Sequence, residues 1–117
     1  MRLNEVTFDA GPPIDGYGPG FFRIGGERVD GPVVIRAEGV APWGGYADAA
    51  ALDDLAGTID VLFVGTGAEI DHIPAALRDR LEAAGIGVEV MATGPACRSY
   101  NVLLSEGRRI AAALLPV

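Results

Sequence analysis

Four side chains in the second half of the chain have the chemistry to hold a small anion: the hydroxyls of Thr66 and Thr93, the guanidinium of Arg98 and the amide of Asn101. Thr66 lies within Gly65-Thr66-Gly67, directly after an apolar run, and Thr93 lies before Gly94-Pro95, directly after another. Each triplet marks a switch from a buried strand to a helix, and both switches would open on the same edge of a parallel sheet, where ligands usually bind. In one reading, Gly65, Thr66, Gly67, Thr93, Arg98 and Asn101 line a polar cleft in which Arg98 grips a carboxylate in a bidentate pair. In the other, the glycines only form tight turns, Thr93 caps the following helix, and Arg98 pairs with a carboxylate of its own domain. The spacing fits neither a dinucleotide fingerprint nor a Walker loop, and Glu69 and Asp71 would repel a phosphate.

Other reactive groups are sparse. Cys97 falls near a helix N-terminus, which favours a thiolate, but on an apolar arc, which disfavours one. His72 is the single histidine, and neither Asp71 beside it nor Cys97 defines a catalytic pair by spacing. Adjacent carboxylates such as Asp53-Asp54 point about 100° apart on a helix and read as a solvated face rather than an acid pair. The nine basic residues are all arginine, so neither a Schiff-base lysine nor a Walker lysine comes from this chain. No metal or cofactor is called for.

Several elements must position these groups. In the N-terminal half, residues 3–8 alternate like a strand, residues 21–24 form another, and Gly25-Gly26 suits a two-residue hairpin turn. Asp30-Gly31-Pro32 precedes a β-branched strand at 33–35, and residues 40–43 add a short strand limited by Pro42. Asp48 is placed to cap a short helix carrying Ala51, Leu52 and Leu55 on one face and ending at Gly57. The period then changes. A strand at 59–64 leads to a helix begun by Pro74, with Leu77, Leu81 and Ala84 at helical spacing before Gly85. A strand at 86–91 leads to a helix opened by Pro95, with Ala96, Cys97, Tyr100, Leu103 and Leu104 on an apolar arc and Arg98, Asn101 and Ser105 on a polar one. Gly107 ends that helix, and residues 110–115 form the last strand. This βαβαβ order requires right-handed parallel crossovers.

One stretch outside this pattern is Gly16-Tyr17-Gly18-Pro19-Gly20-Phe21-Phe22, read as a constrained turn entering a strand. Phe21 and Phe22 must face opposite sides of that strand, so one needs a second cover. Tyr17, Phe21, Phe22 and Trp43 are therefore either packed on both sides or part of an aromatic patch for a protein partner.

The whole chain bounds what these pieces can be. With 117 residues, it forms a single domain over 1–117 that buries roughly 65% of its unfolded surface. The net charge of −7 and the isolated Arg108-Arg109 pair argue against nucleic acid. The longest apolar run, residues 110–117, is far short of the ~20 residues of a membrane span. The N-terminus lacks the pattern of a signal peptide, and one cysteine permits no internal disulfide, so the expected location is cytoplasmic.

Tyr17-Gly-Pro-Gly-Phe-Phe-Arg-Ile24, Trp43, Gly65-Thr-Gly67, Met91-Ala-Thr93, Ala96-Cys97 and Tyr100-Asn101 with Glu106-Gly-Arg108 occur here in one order. Together they resemble the Mth938-like domain family across nearly the whole chain. That family includes a mitochondrial respiratory complex I assembly factor and the adipogenesis-associated Mth938 domain protein. Ser99 stands where related sequences often carry threonine, which keeps the hydroxyl. The resemblance implies an α/β domain of three layers with a mixed central sheet, an N-terminal β-hairpin and C-terminal βαβαβ crossovers, without established enzymatic activity. It also implies a protein partner, with any membrane association made through that partner. A non-enzymatic interaction or accessory domain, acting in protein assembly, is the expected function; a small-anion or metabolite binder using the two Thr-Gly loops is the alternative. An open edge strand would also allow a homo-oligomer.

Overall fold

The computed structural model describes residues 11–117. The expected strand at 3–8 lies outside these described residues.

Hydrophobic alternation sets the centre of the molecule. The strands β4 (Val33–Arg36), β5 (Gly39–Pro42), β6 (Val61–Thr66), β7 (Gly87–Met91) and β8 (Ile110–Leu115) form a five-stranded sheet in the order β5-β4-β8-β6-β7. β6 is parallel to both β7 and β8, whereas β4 runs antiparallel to β5 and β8, so the sheet is mixed as expected. Val33, Ile35, Phe63, Ala112 and Leu114 face one side. Val34, Leu62, Val64, Ala111 and Ala113 face the other. Both faces are covered, which explains why β6 and β8 read as unbroken apolar runs.

The helices α1 (Ala75–Ala83) and α2 (Thr93–Ser105) cover opposite faces. α1 supplies Leu77 and Leu81 to the second cluster, where Leu52, Leu55 and Trp43 join them. α2 supplies Ala96, Cys97, Tyr100 and Leu104 to the first. Its apolar arc is therefore the buried one, as its 3.6-residue period requires.

A second sheet shares that first face. Its strands β1 (Ile14–Gly18), β2 (Phe21–Ile24) and β3 (Glu27–Asp30) are antiparallel in the order β1-β2-β3. Gly25 and Gly26, at φ +57° and +85°, form the two-residue hairpin turn between β2 and β3. β1 was not expected. Residues 14–18 are glycine-rich and read as part of a turn, yet only Pro19 and Gly20 make the bend, and Tyr17 pairs with Phe22 across the ladder.

Two further local expectations are corrected. The segment after Asp48 is a 3-10 helix (Ala49–Leu55), and Asp48 does not cap it; its Oδ2 instead accepts the Gly44 N–H at 2.9 Å. Ala84 lies beyond the end of α1 and is exposed, because the chain turns there to let Ile86 enter the core.

Candidate functional site

β6 and β7 are neighbours whose following segments depart toward opposite faces, the arrangement that normally opens a crevice at the strand ends. Here the crevice is bridged. The Thr93 N–H donates to the Gly67 carbonyl at 2.8 Å, and the Gly67 N–H donates back to Thr93 Oγ1 at 2.8 Å. The same hydroxyl donates to the Leu115 carbonyl at 2.6 Å, so Thr93 ties together the ends of β6, β7 and β8. Thr93 is fully buried and forms no helix cap; the N-cap position is Ala92. Gly65 makes this approach possible, since a Cβ there would lie 2.8 Å from Thr93 Oγ1 and 3.1 Å from Thr93 Cα.

Thr66 is also engaged internally. Its Oγ1 lies 2.7 Å from the Glu69 carbonyl and 3.2 Å from the Met91 carbonyl, and it accepts the Asp71 N–H at 3.1 Å. These bonds shape the loop leading to α1.

Asn101 has a different task again. Its Nδ2 donates to the Ile14 carbonyl at 2.8 Å while its Oδ1 accepts the Ile14 N–H at 2.9 Å. The side chain thus imitates a neighbouring strand and docks β1 on α2. A planar amide carries a donor and an acceptor side by side, which a carboxylate or a hydroxyl does not. The six residues of the anion reading therefore do not converge on one cleft.

Arg98 is exposed and belongs to no ion pair among the described residues. Its guanidinium lies near Gly94, 3.6 Å from where a Cβ would stand, and the Tyr17 hydroxyl presses against the same glycine. Tyr17 and Arg98 thus meet over the first turns of α2. This proximity joins a residue of the expected aromatic patch to one of the expected anion site, and neither motif alone signals it.

The rest of the patch divides. Phe22 is 0% exposed and Trp43 4%, both in the core, where the Trp43 indole N–H donates to the Asp48 carbonyl at 3.1 Å. They offer no surface, which corrects the four-aromatic reading. Phe21 is half-buried beneath the Arg28 guanidinium, 4.2 Å from its ring centroid. Tyr17, at 41%, is exposed.

The remaining reactive groups are apart. Cys97 is buried in the first core cluster, and burial pushes its thiol up to about 11, against a smaller opposing pull from Arg98. His72 is exposed on the loop before α1, and its backbone N–H, not its ring, donates to Asp71 Oδ1 at 2.7 Å. Asp53 and Asp54 take different partners. Arg80 grips Asp53 through two bonds of 2.9 and 2.6 Å and holds its carboxyl below the usual range, while Asp54 meets Arg36 at 3.5 Å. Tyr100 is fully buried, with its hydroxyl unbonded among the described residues; burial, followed by the nearby Glu38, raises its pKa.

Depressions on the described surface include one of about 540 Å³ on the loop after β6, lined by Thr66, Ala68, Glu69, Ile70 and Asp71. Another, of about 260 Å³, lies between the β4-β5 hairpin and the 3-10 helix, with Arg36, Glu38 and Asp54 at its rim. A more open groove of about 360 Å³ runs along α2, lined by Phe63, Arg98, Ser99, Val102 and Leu103. Among the described residues, no helix is long and apolar enough to cross a membrane.

Comparison with known proteins agrees with this architecture. A family described as a protein of unknown function, DUF498/DUF598, matches residues 14–115. An uncharacterised protein of Rhodobacter capsulatus is 54% identical over 117 residues, covering 100% of this chain and 94% of its own. A Danio rerio protein named NADH dehydrogenase [ubiquinone] 1 alpha subcomplex assembly factor 3 is 37% identical, covering 99% of this chain and 71% of its own. Among solved structures, an outer membrane protein from Bartonella henselae is 34% identical with a TM-score of 0.82, covering 92% of this chain and 96% of its own. The Bordetella pertussis Mth938-like domain is 31% identical with a TM-score of 0.75, covering 92% and 87%. With its mixed five-stranded sheet and a family match over nearly all of its length, the chain belongs to the DUF498/DUF598 family of Mth938-like domains.

Proposed function

We propose that this protein is a non-enzymatic interaction module that assists the assembly of a multi-subunit protein complex. The observation that supports it most is the internal use of Thr93 and Asn101, whose polar atoms hold strand ends and β1 in place instead of meeting Thr66 and Arg98 in one cleft. Similarity to a protein named as an NADH dehydrogenase assembly factor supplies the class of task. Tyr17, Phe21 and Arg98 are the proposed contact residues, with the exposed Val102 beside Arg98 on α2. The cytoplasm is the proposed compartment, which cell fractionation tests.

Deleting the gene and resolving native respiratory complexes on a gel tests the assembly role. Assembled NADH dehydrogenase is expected to fall while its separate subunits persist. An unchanged complex sinks that role. Affinity capture from native extract tests the broader interaction reading, with retention of a specific partner expected. Failure to retain any partner, together with a thermal shift from an anionic metabolite that Arg98→Ala removes, would return the small-anion reading to first place.

A further inference from the structure

The two edges of the central sheet are not alike. On β5, the Trp43 N–H bonds to the Pro32 carbonyl, so by alternation Gly39 and Ala41 face β4 while Val40 and Pro42 face outward. Pro42 has no N–H, and the outer edge of β5 is left with one donor. On β7, the Gly87 N–H bonds to the Asp60 carbonyl, so Gly87, Glu89 and Met91 face β6. Val88 and Val90 therefore point both their N–H and C=O groups away from the sheet, and no proline interrupts them. Among the described residues, nothing pairs with that edge.

The side chains beside it are equally specific. Val88 packs toward the α1 face, while Glu89, opposite Phe63, is exposed on the α2 face. The groove lined by Phe63, Arg98, Ser99, Val102 and Leu103 lies on that face. A strand added to β7 would find hydrogen-bond partners along the edge, an apolar strip on one face, and on the other a carboxylate directly beside it, with a mostly apolar groove that carries Arg98 lying further over α2.

We infer that the outer edge of β7 receives an extended strand from a partner protein, placed so that a basic side chain lies beside Glu89. This inference rests on the interaction-module reading and names its surface. A second copy of the chain suits the edge poorly. Antiparallel pairing centred on Glu89 sets two carboxylates directly opposite, and centring on Val88 or Val90 leaves them diagonal at about 7–8 Å. Each copy also carries a net charge of −7. A foreign strand with lysine or arginine at alternate positions meets the same groups favourably, in the manner of strand addition to an exposed sheet edge.

The test pans a phage-displayed library of random linear peptides on the full chain, then measures peptide affinity by fluorescence anisotropy. Enriched peptides are expected to alternate apolar with basic residues. Their Kd is expected to rise about tenfold in Val90→Pro, which removes an outward donor without touching the β6 ladder. Glu89→Lys is expected to shift the preference to peptides carrying glutamate. No enrichment, or affinity unchanged by Val90→Pro, overturns the proposal. So does a dimer in sedimentation that Val90→Pro dissolves, because the occupant is then a second copy. If Val90→Pro does not fold, amide exchange in the wild type replaces it: slowing at Val88 and Val90 on adding an enriched peptide supports the edge, and unslowed exchange overturns it. Capture from extract separates the two levels. Partners retained equally by wild type and a folded Val90→Pro overturn the edge and leave the interaction module standing, whereas no partner on the wild type removes both.

Discussion

Thr93 and Gly67 exchange two hydrogen bonds, each 2.8 Å long, one from backbone to backbone and one from backbone to hydroxyl. The pair closes the end of the parallel sheet at the point where an open α/β domain usually admits its ligand. Because the Thr93 hydroxyl also reaches the Leu115 carbonyl, a single buried side chain holds three strand ends in register.

Thr93→Val should therefore be costly despite its near-identical shape. It strands the Gly67 N–H and deprives the Leu115 carbonyl of its donor, for a loss of about 2–4 kcal/mol. Urea denaturation measures it, and Thr93→Ser should lose much less. A valine variant as stable as the wild type would contradict the bridging role.

Asn101→Asp tests the strand-mimicking amide. The carboxylate can still accept the Ile14 N–H but faces the Ile14 carbonyl without a donor, a mismatch of about 1–3 kcal/mol. Amide exchange at Ile14 should accelerate more than exchange in β8, because β1 loses its tether to α2 while the central sheet does not. Equal acceleration throughout would mean that the bond acts on global stability rather than on docking.

Phe22 and Tyr17 face each other in the β1-β2 ladder but differ in burial. Phe22→Ala should destabilise by about 3–5 kcal/mol through lost burial and a residual cavity. Tyr17→Ala should cost less, about 1–2 kcal/mol, because its ring is 41% exposed while its hydroxyl end packs on Gly94. Thermal unfolding of both variants checks the contrast. If Tyr17 contacts a partner, its substitution should also show in capture from extract.

Cys97 should be nearly inert in the native protein. Burial raises its pKa from 9.0 to about 11, so the thiolate is scarce at neutral pH and the sulfur is shielded. Modification by iodoacetamide should be far slower in buffer than in urea. In the unfolded chain the thiol releases its proton near its ordinary pKa, before the folded protein does. Its contribution to stability is thus present below pH 9.0 and lost as pH rises toward about 11. Cys97→Ala should flatten that part of the stability profile, whereas an unaltered slope would assign it to other groups.

Much of the fold is written in local pattern. The period-2 and period-3.6 apolar spacings, with glycine at the turns, determine the strand-helix-strand-helix-strand order and the hairpin at Gly25-Gly26, because each segment has one way to bury its apolar side. The quoted motifs also carry the resemblance to the family. Even the apolar arc of α2 matches its buried face, with Val102 standing out as an apolar residue on the polar side.

The polar side chains were legible as types but not as roles. Thr93 has the chemistry of a cap, Asn101 that of a ligand-binding amide, and Trp43 that of an anchor for a partner. Only the tertiary structure decides that Thr93 bonds across 26 positions to Gly67, that Asn101 reaches back 87 positions to Ile14, and that Trp43 fills a core. A hydrogen bond or a buried ring depends on which distant segment arrives beside it, and spacing along the chain does not encode that arrival. The same holds for the β7 edge: the sequence determines that residues 87–91 form a strand, and the packing order of five strands decides that one side of it stays open.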